Sequence, residues 1–475
     1  MSSIVKNYIY NIIYQTLVLF IPIFLSPYLA KTLGAEKLGI YGYIFSICNI
    51  ISTIGLIGTY NYGIRQIAYN RENHSQRQNV FWEIFWVRIT LGLICLAVYI
   101  IISLYSRYYT EFFLFIGWLI ATIIDPSWLF IGVEDMKPTI LKNFYIKISS
   151  VICIFLLVKD SDDLNTYISI MSISILLSTV ILFFQLSQYI KEIRFTLNKF
   201  KEHIKESFYL FLPQVATILY LQMGKIMIEH VGHDTKSIAF YDMGEKIVTI
   251  PLTFITVLST VMMPRIANRF INNDKESIIK LLNKAGQFSL MLAIPLSLGI
   301  AICAKNMVPW FLGNEFEPTI SIIIAISPII IMNSLLGISG NQYFTATNQT
   351  KVLIKSYFTA LFINIILNYI LISQFGGIGA AYTISITTTV SVLIQYYYLN
   401  KQVGVKIFLN IFLRYFIISV PMSIIIFIIG KHLSPNYKTT IIQILTGIFI
   451  YIITLLLAKD EIIKEVIFKL KNRIK

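Results

Sequence analysis

Leu164–Ile190 reads LNTYISIMSISILLSTVILFFQLSQYI, and Lys191–Ser207, directly after it, reads KEIRFTLNKFKEHIKES. The first stretch carries no charge and is longer than the about 20 residues that a helix needs to cross a bilayer core. The second carries five Lys or Arg. Cations flanking an apolar span are retained on the cytoplasmic side, so this pair sets both a membrane crossing and its direction.

Working outward, the same unit recurs. Fourteen candidate spans are centred near Phe20, Ile50, Gly92, Leu119, Ile152, Leu177, Leu219, Pro251, Pro295, Ile330, Ile363, Thr388, Ile424 and Phe449. They take up nearly all of the 475 residues, of which 56% are hydrophobic and 13% charged, with mean hydropathy +0.72. No room remains for a soluble domain of useful size. The first eleven residues are short, mildly basic and continuous with a full span, unlike a cleavable signal peptide.

A net charge of +15 invites a nucleic-acid reading until the charges are placed. With the N-terminus inside, most of the 39 Lys and Arg fall on inner loops and tails. The positive charge then sets topology and meets anionic lipid heads, and no nucleic-acid partner is implied. The fold class expected is an all-α polytopic membrane protein of about 14 transmembrane helices, with both termini cytoplasmic.

Lys191–Ser207 also carries Ile193, Leu197, Phe200 and Ile204 at helical spacing between Lys and Glu, the pattern of an amphipathic helix on the inner surface. It separates six spans from eight. A faint echo joins the halves: Leu33-Gly34 then Ile40-Tyr41, and Val231-Gly232 then Phe240-Tyr241. Two pseudo-symmetric six-helix lobes plus two C-terminal helices are therefore expected. They comprise an N-lobe over 1–190, a linker helix over 191–207, a C-lobe over 208–400, two further spans over 401–459 and a basic amphipathic tail over 460–475.

Pro22, Pro27, Pro213, Pro251, Pro295 and Pro328 interrupt spans. Each removes a backbone hydrogen bond, and the freed carbonyl needs another donor inside a membrane. Such kinks suit a moving transporter or simply shape a static bundle.

Ionisable residues within spans are costly and mark function by default. Lys225 and Glu229 lie one turn apart on the seventh span, with Asp242, Glu245 and Lys246 on the eighth. Lys225 is positioned to pair with Asp242 or Glu229, and Asp242 with Lys246 at i+4. Arg88 and Arg65 lie near the inner ends of the third and second spans. Arg65, Arg88, Lys225 and Lys246 thus form a candidate cationic path for an anionic substrate, with Asp125, Glu229, Asp242 and Glu245 as charge partners or ion-coupling groups. Asp125, in Asp125-Pro126-Ser127-Trp128, also reads as the cap of a broken helix.

The first span offers Asn7, Asn11, Gln15 and Ser26 but no acid, where an organic-cation pump would want a carboxylate. Cys48, Cys95, Cys153 and Cys303 lie in apolar spans without metal or redox spacing. His230 and His233 lack further ligands for a metal. No phosphate-binding Walker loop is present. Neither a cofactor nor enzymatic chemistry is expected, and the driving force would be H+ or Na+ coupling or consumption of product.

The motifs resemble a known family. Ser26–Lys31, Leu33-Gly34, Gly39-Ile40-Tyr41 and Tyr62–Ala68, with Asp125–Asp135, Phe211–Gln214, Tyr241-Asp242, Lys246-Ile247, Pro251-Leu252 and Val261–Arg265, are similar to the motifs of Wzx-type polysaccharide repeat-unit flippases. These belong to the multidrug/oligosaccharidyl-lipid/polysaccharide exporter superfamily, and the resemblance covers about residues 1–400. It implies two six-helix lobes, alternating access and a lipid-linked oligosaccharide on undecaprenyl pyrophosphate. It also implies residence in the bacterial cytoplasmic membrane, serving capsule, exopolysaccharide or O-antigen synthesis beside a polymerase. One departure stands out: relatives commonly carry an acid before the seventh-span lysine, and here Gly224 precedes Lys225. The competing readings are a multidrug or cation antiporter of the same superfold, a lipid II flippase and a membrane scaffold.

Overall fold

The computed structural model describes residues 3–135, 137–195, 199–404, 409–460 and 462–464. The described residues contain helices and no strands. Eleven helical segments among them have the length and apolarity to cross a membrane. Many of their large apolar side chains point outward, including Leu93, Ile94, Ile101 and Leu104 on one helix. Outward-facing apolar surface on this scale is what a lipid solvent requires. The chain is a multi-pass membrane protein.

The chain divides into two compact units, 1–229 and 230–475. The first contains α1 (Ser3–Gly55), α2 (Thr59–Tyr69), α3 (His74–Leu104), α4 (Tyr109–Leu114), α5 (Ile116–Ile124), α6 (Ser127–Gly132), α7 (Lys137–Leu157) and α8 (Leu164–Leu186), and takes α9 (Phe200–Gly232) as far as Glu229. α1 is two helices joined across a kink at Gly34, whose φ of 76° suits a residue without Cβ. Helix continues through Pro22 and Pro27.

The core of this unit is aromatic. Phe81, Trp82, Phe85 and Trp128 pack with Tyr62, Ile67 and Leu129, and the Phe81 and Trp128 rings stack at 4.9 Å. α2 meets α6 closely because Gly63 has no side chain: a Cβ there would stand 2.5 Å from the Trp128 ring.

The fourth span breaks where the sequence places Asp125-Pro126. Proline cannot donate to the carbonyl of Thr122, four residues back. The next amide, of Ser127, turns to the Asp125 carboxylate at 3.1 Å, and so does the Ser127 hydroxyl at 2.5 Å. Asp125 thus opens α6, as its cap-like sequence suggests. The tenth span breaks similarly at Pro328, where the Ser327 hydroxyl serves the carbonyl of Ile324 at 3.1 Å.

The linker expectation needs correcting. Lys191–Phe195 is not helical, and helix resumes at Phe200, continuing into α9. The physical reason lies on α3. The indole N–H of Trp82 and the amide of Gln78 donate to the carbonyl of Glu192 at 2.7 and 3.1 Å, and the indole of Trp86 donates to that of Arg194 at 2.9 Å. These carbonyls are committed to tertiary partners in place of an i+4 amide. Arg77 and Tyr189 brace the start of this strap, with Arg77 Nη2 donating to the Tyr189 carbonyl at 3.2 Å. The Tyr189 hydroxyl donates to Asp135 at 2.5 Å; burial and this acidic neighbour push the phenol up to about 12.

The second unit contains α10 (Thr235–Ile271), α11 (Lys275–Phe311), α12 (Thr319–Ile326), α13 (Ile329–Leu336), a π-helical turn (Gly337–Thr345), α14 (Thr350–Phe375), α15 (Gly377–Val403), α16 (Leu409–His432) and α17 (Tyr437–Leu457). α14 and α15 form a hairpin held by buried polar contacts, in which Gln395 donates to the Ser356 hydroxyl at 2.9 Å and Asn364 to the Thr387 hydroxyl at 3.4 Å. α16 and α17 dock on α11. Asn306 donates to the Gly430 carbonyl at 3.1 Å, Trp310 to Thr440 at 2.9 Å and Tyr451 to the Met291 carbonyl at 2.6 Å. In the expected tail, Glu461 and residues 465–475 lie outside the described residues.

Candidate functional site

The sequence-predicted charges fall into four places. At the break of the fourth span, Arg88 is 2% exposed. Its Nη2 donates to the Thr122 carbonyl at 2.5 Å and its Nε to the Ile123 carbonyl at 2.8 Å. Those are the two carbonyls left open by Pro126 and by the turning of Ser127. Its Nη1 donates to the Thr59 hydroxyl at 3.2 Å. The guanidinium therefore fills in for a missing stretch of backbone. Lys142, which the sequence reading passed over, is buried beside it, 3.8 Å from Asp125. Two cations share one carboxylate here, the inverse of the arrangement that would hold an organic cation.

Arg65 lies among partly exposed groups, 3.1 Å from Glu206 at the start of α9 and over the Tyr62 ring at 5.6 Å. Behind it, the Tyr62 hydroxyl and His203 Nδ1 are 2.8 Å apart, and His203 Nε2 lies 3.1 Å from Glu83. This chain of hydrogen bonds joins α2, α3 and α9.

Lys225 and Glu229 are both buried on α9. Glu229 pairs with Arg107, in the short loop after α3, and accepts from the Tyr108 hydroxyl at 3.3 Å. Arg107 also stacks over Tyr108 at 4.7 Å. The sequence reading missed Arg107. Its signal was faint: a single cation in the Tyr-rich run Tyr105–Tyr109, on the side otherwise poor in positive charge.

In the second unit, Asp242 pairs with Lys246 one turn along α10 at 2.6 Å. Asp242 is mostly buried and Lys246 is 43% exposed, so the ammonium remains within reach of a ligand. Glu245, between them in sequence, is partly buried. Among the described residues no cluster of three or more His, Cys, Asp or Glu is suited to a metal.

Comparison with known proteins places the chain. The polysaccharide biosynthesis protein family matches residues 4–270, and the lipid II flippase MurJ family matches residues 144–452. A putative O-antigen transporter of Escherichia coli K12 is 23% identical across 81% of this chain and 94% of that protein. A probable low-salt glycan biosynthesis flippase of Haloferax volcanii is 24% identical over 35% of each chain. Among solved structures, lipid II flippase MurJ in an inward closed conformation superposes with TM-score 0.72 and 18% identity, over 96% of this chain and all of that one. An inward-facing multidrug resistance MATE family transporter superposes with TM-score 0.66 and 14% identity, over 84% of this chain and 94% of that one. At these identities the structures speak for the fold. The sequence match extends over more than half of the chain, and the chain belongs to the polysaccharide biosynthesis protein family.

Proposed function

We propose that this protein carries undecaprenyl-pyrophosphate-linked oligosaccharide repeat units from the inner to the outer leaflet of the cytoplasmic membrane. The observation that carries the reading is the match to an O-antigen transporter along 94% of that relative's length. The charge inventory supports it. Lys246 stands partly exposed on α10 beside its Asp242 partner, and Lys142 and Arg88 outnumber Asp125 inside the first unit. Pyrophosphate and sugar are too polar for lipid, and cations along a wet path lower that barrier while the prenyl tail stays in the bilayer.

In this reading the chain crosses the membrane fourteen times with both ends inside, works by alternating access, catalyses no covalent step and delivers to a polymerase. Lys246, in the second unit, meets the pyrophosphate, Lys225 and Arg65 supply positive charge in the first, and H+ or Na+ drives the cycle. Arg88 holds the path's wall together. The deciding experiment is the leaflet distribution of lipid-linked oligosaccharide in a deletion strain. Accumulation of repeat units on the inner leaflet, reversed by the intact gene, is the expected result; an unchanged pool with intact surface polymer refutes it.

A second reading has its own support in the MurJ match over residues 144–452: the substrate would be lipid II. It predicts arrested peptidoglycan synthesis on depletion, where the first predicts loss of a dispensable polymer.

A further inference from the structure

Beyond the path residues, the second unit carries a charged cleft that neither the sequence reading nor the transport scheme uses. It opens where α10 ends and α11 begins, with a volume of about 680 Å³. Arg265, Asn268 and Arg269 line it from α10, at i, i+3 and i+4. Ser277, Lys280 and Lys284 line it from α11, at i, i+3 and i+7. Helical spacing of this kind puts each set on one face, so four cations from two helices converge on one space. Among the described residues no acidic side chain lines it. Asp274, at the hairpin tip, is turned to its own helix cap: it accepts from the Ser277 amide at 3.1 Å and from Arg269 at 3.2 Å. Those bonds, first from Ser277 and then from Arg269, hold its carboxyl below the usual carboxylate range.

Two features indicate what fills the space. Phe270 and Ile271, next to Arg269, are 40% and 78% exposed. Large apolar side chains at the end of a span, beside cations, belong at the boundary between acyl chains and headgroups. Pro264 and Leu281 complete the lining, offering apolar contact to a chain leaving the cleft. A cluster of four cations matches a multiply charged phosphate group, which guanidinium forks bind bidentately.

We infer that this cleft is a recognition site for a pyrophosphate headgroup carried on a polyprenyl lipid, holding the substrate at the inner face before it reaches Lys246. The inference rests on the flippase reading for its choice of lipid, and its test is a binding measurement that needs no transport. The full-length chain is placed in nanodiscs of phosphatidylcholine, and binding of polyprenyl pyrophosphate is followed by native mass spectrometry. Arg265→Gln with Lys280→Gln is expected to weaken binding roughly tenfold or more, while Arg265→Lys with Lys280→Arg keeps it.

Binding of the double Gln variant equal to that of the unaltered protein overturns the site. Competition by cardiolipin or by inorganic pyrophosphate as strong as that by the polyprenyl lipid overturns the assignment of its source, to a general anionic lipid or to a soluble anion. A failure of the leaflet experiment with cleft binding intact counts against the flippase reading alone.

Discussion

The indole N–H of Trp82 donates to the carbonyl of Glu192 at 2.7 Å, so Lys191–Phe195, on the way from α8 to α9, is held down by the face of α3. Trp86 repeats the contact at Arg194, and the Arg194 guanidinium returns to Asn79 at 2.7 Å. The strap is an ordered part of the first unit rather than a free linker. Replacing Trp82 and Trp86 by Phe keeps the rings and removes both donors, at a cost of about 1 kcal/mol for each neutral hydrogen bond. Trypsin is expected to cut after Lys191 or Arg194 several times faster in the double variant, as read from fragment appearance in detergent; unchanged cleavage would mean that the indoles do not restrain the strap.

Arg88→Ala removes the donors to two carbonyls and a close cationic neighbour of Asp125 in one step. Losing one partner of a buried charged cluster costs roughly 3–5 kcal/mol, so the variant is expected to show a strong drop in folded protein. Arg88→Lys is expected to rescue little, since an ammonium cannot reproduce the planar fork. Lys246→Ala should behave in the opposite way, with normal thermal stability and lost export. Fluorescence-detected size exclusion beside a polymer assay separates the two, and equal behaviour of both variants would contradict the division of roles.

Arg107→Ala leaves Glu229 buried without its guanidinium partner. The double change Arg107→Ala with Glu229→Gln removes the stranded charge and is expected to recover at least about 1 kcal/mol of the stability lost by the single change. Melting temperatures of the four proteins in the cycle give the coupling; strict additivity would show the pair to be incidental.

Gly63→Ala places a methyl against the buried Trp128 ring, where a Cβ would sit at 2.5 Å. Overpacking of this kind costs about 1–3 kcal/mol. Gly299 has no atom within 4 Å of the same construction, so Gly299→Ala is expected to be neutral or slightly stabilising. A thermal shift of equal size in both would refute the packing argument.

The spans were legible because apolar length is a property of the chain itself: Leu164–Ile190 declares a crossing without reference to any neighbour. The cap role of Asp125 was legible for the same reason, since proline and the residues beside it act locally. The strap was not. Ile193, Leu197, Phe200 and Ile204 do carry a helical period, but the indoles that claim its carbonyls lie more than a hundred residues earlier. The pairing of Asp242 with Lys246 could be read from i+4 spacing, whereas Arg107 with Glu229 could not, being set by where the loop after α3 meets α9. Arg88 was identified as an intramembrane cation; its partners, the carbonyls of Thr122 and Ile123, appear only once the fourth span is seen to break beside it.

That substitution of side chain for backbone has a mechanical consequence. α3 supplies the hydrogen bonds by which α5 ends, so the two cannot slide or part without exposing carbonyls to hydrocarbon, which costs several kcal/mol for each group. α3 and the end of α5 therefore travel as one welded piece, and any bending of this unit must be taken up at joints elsewhere in the chain.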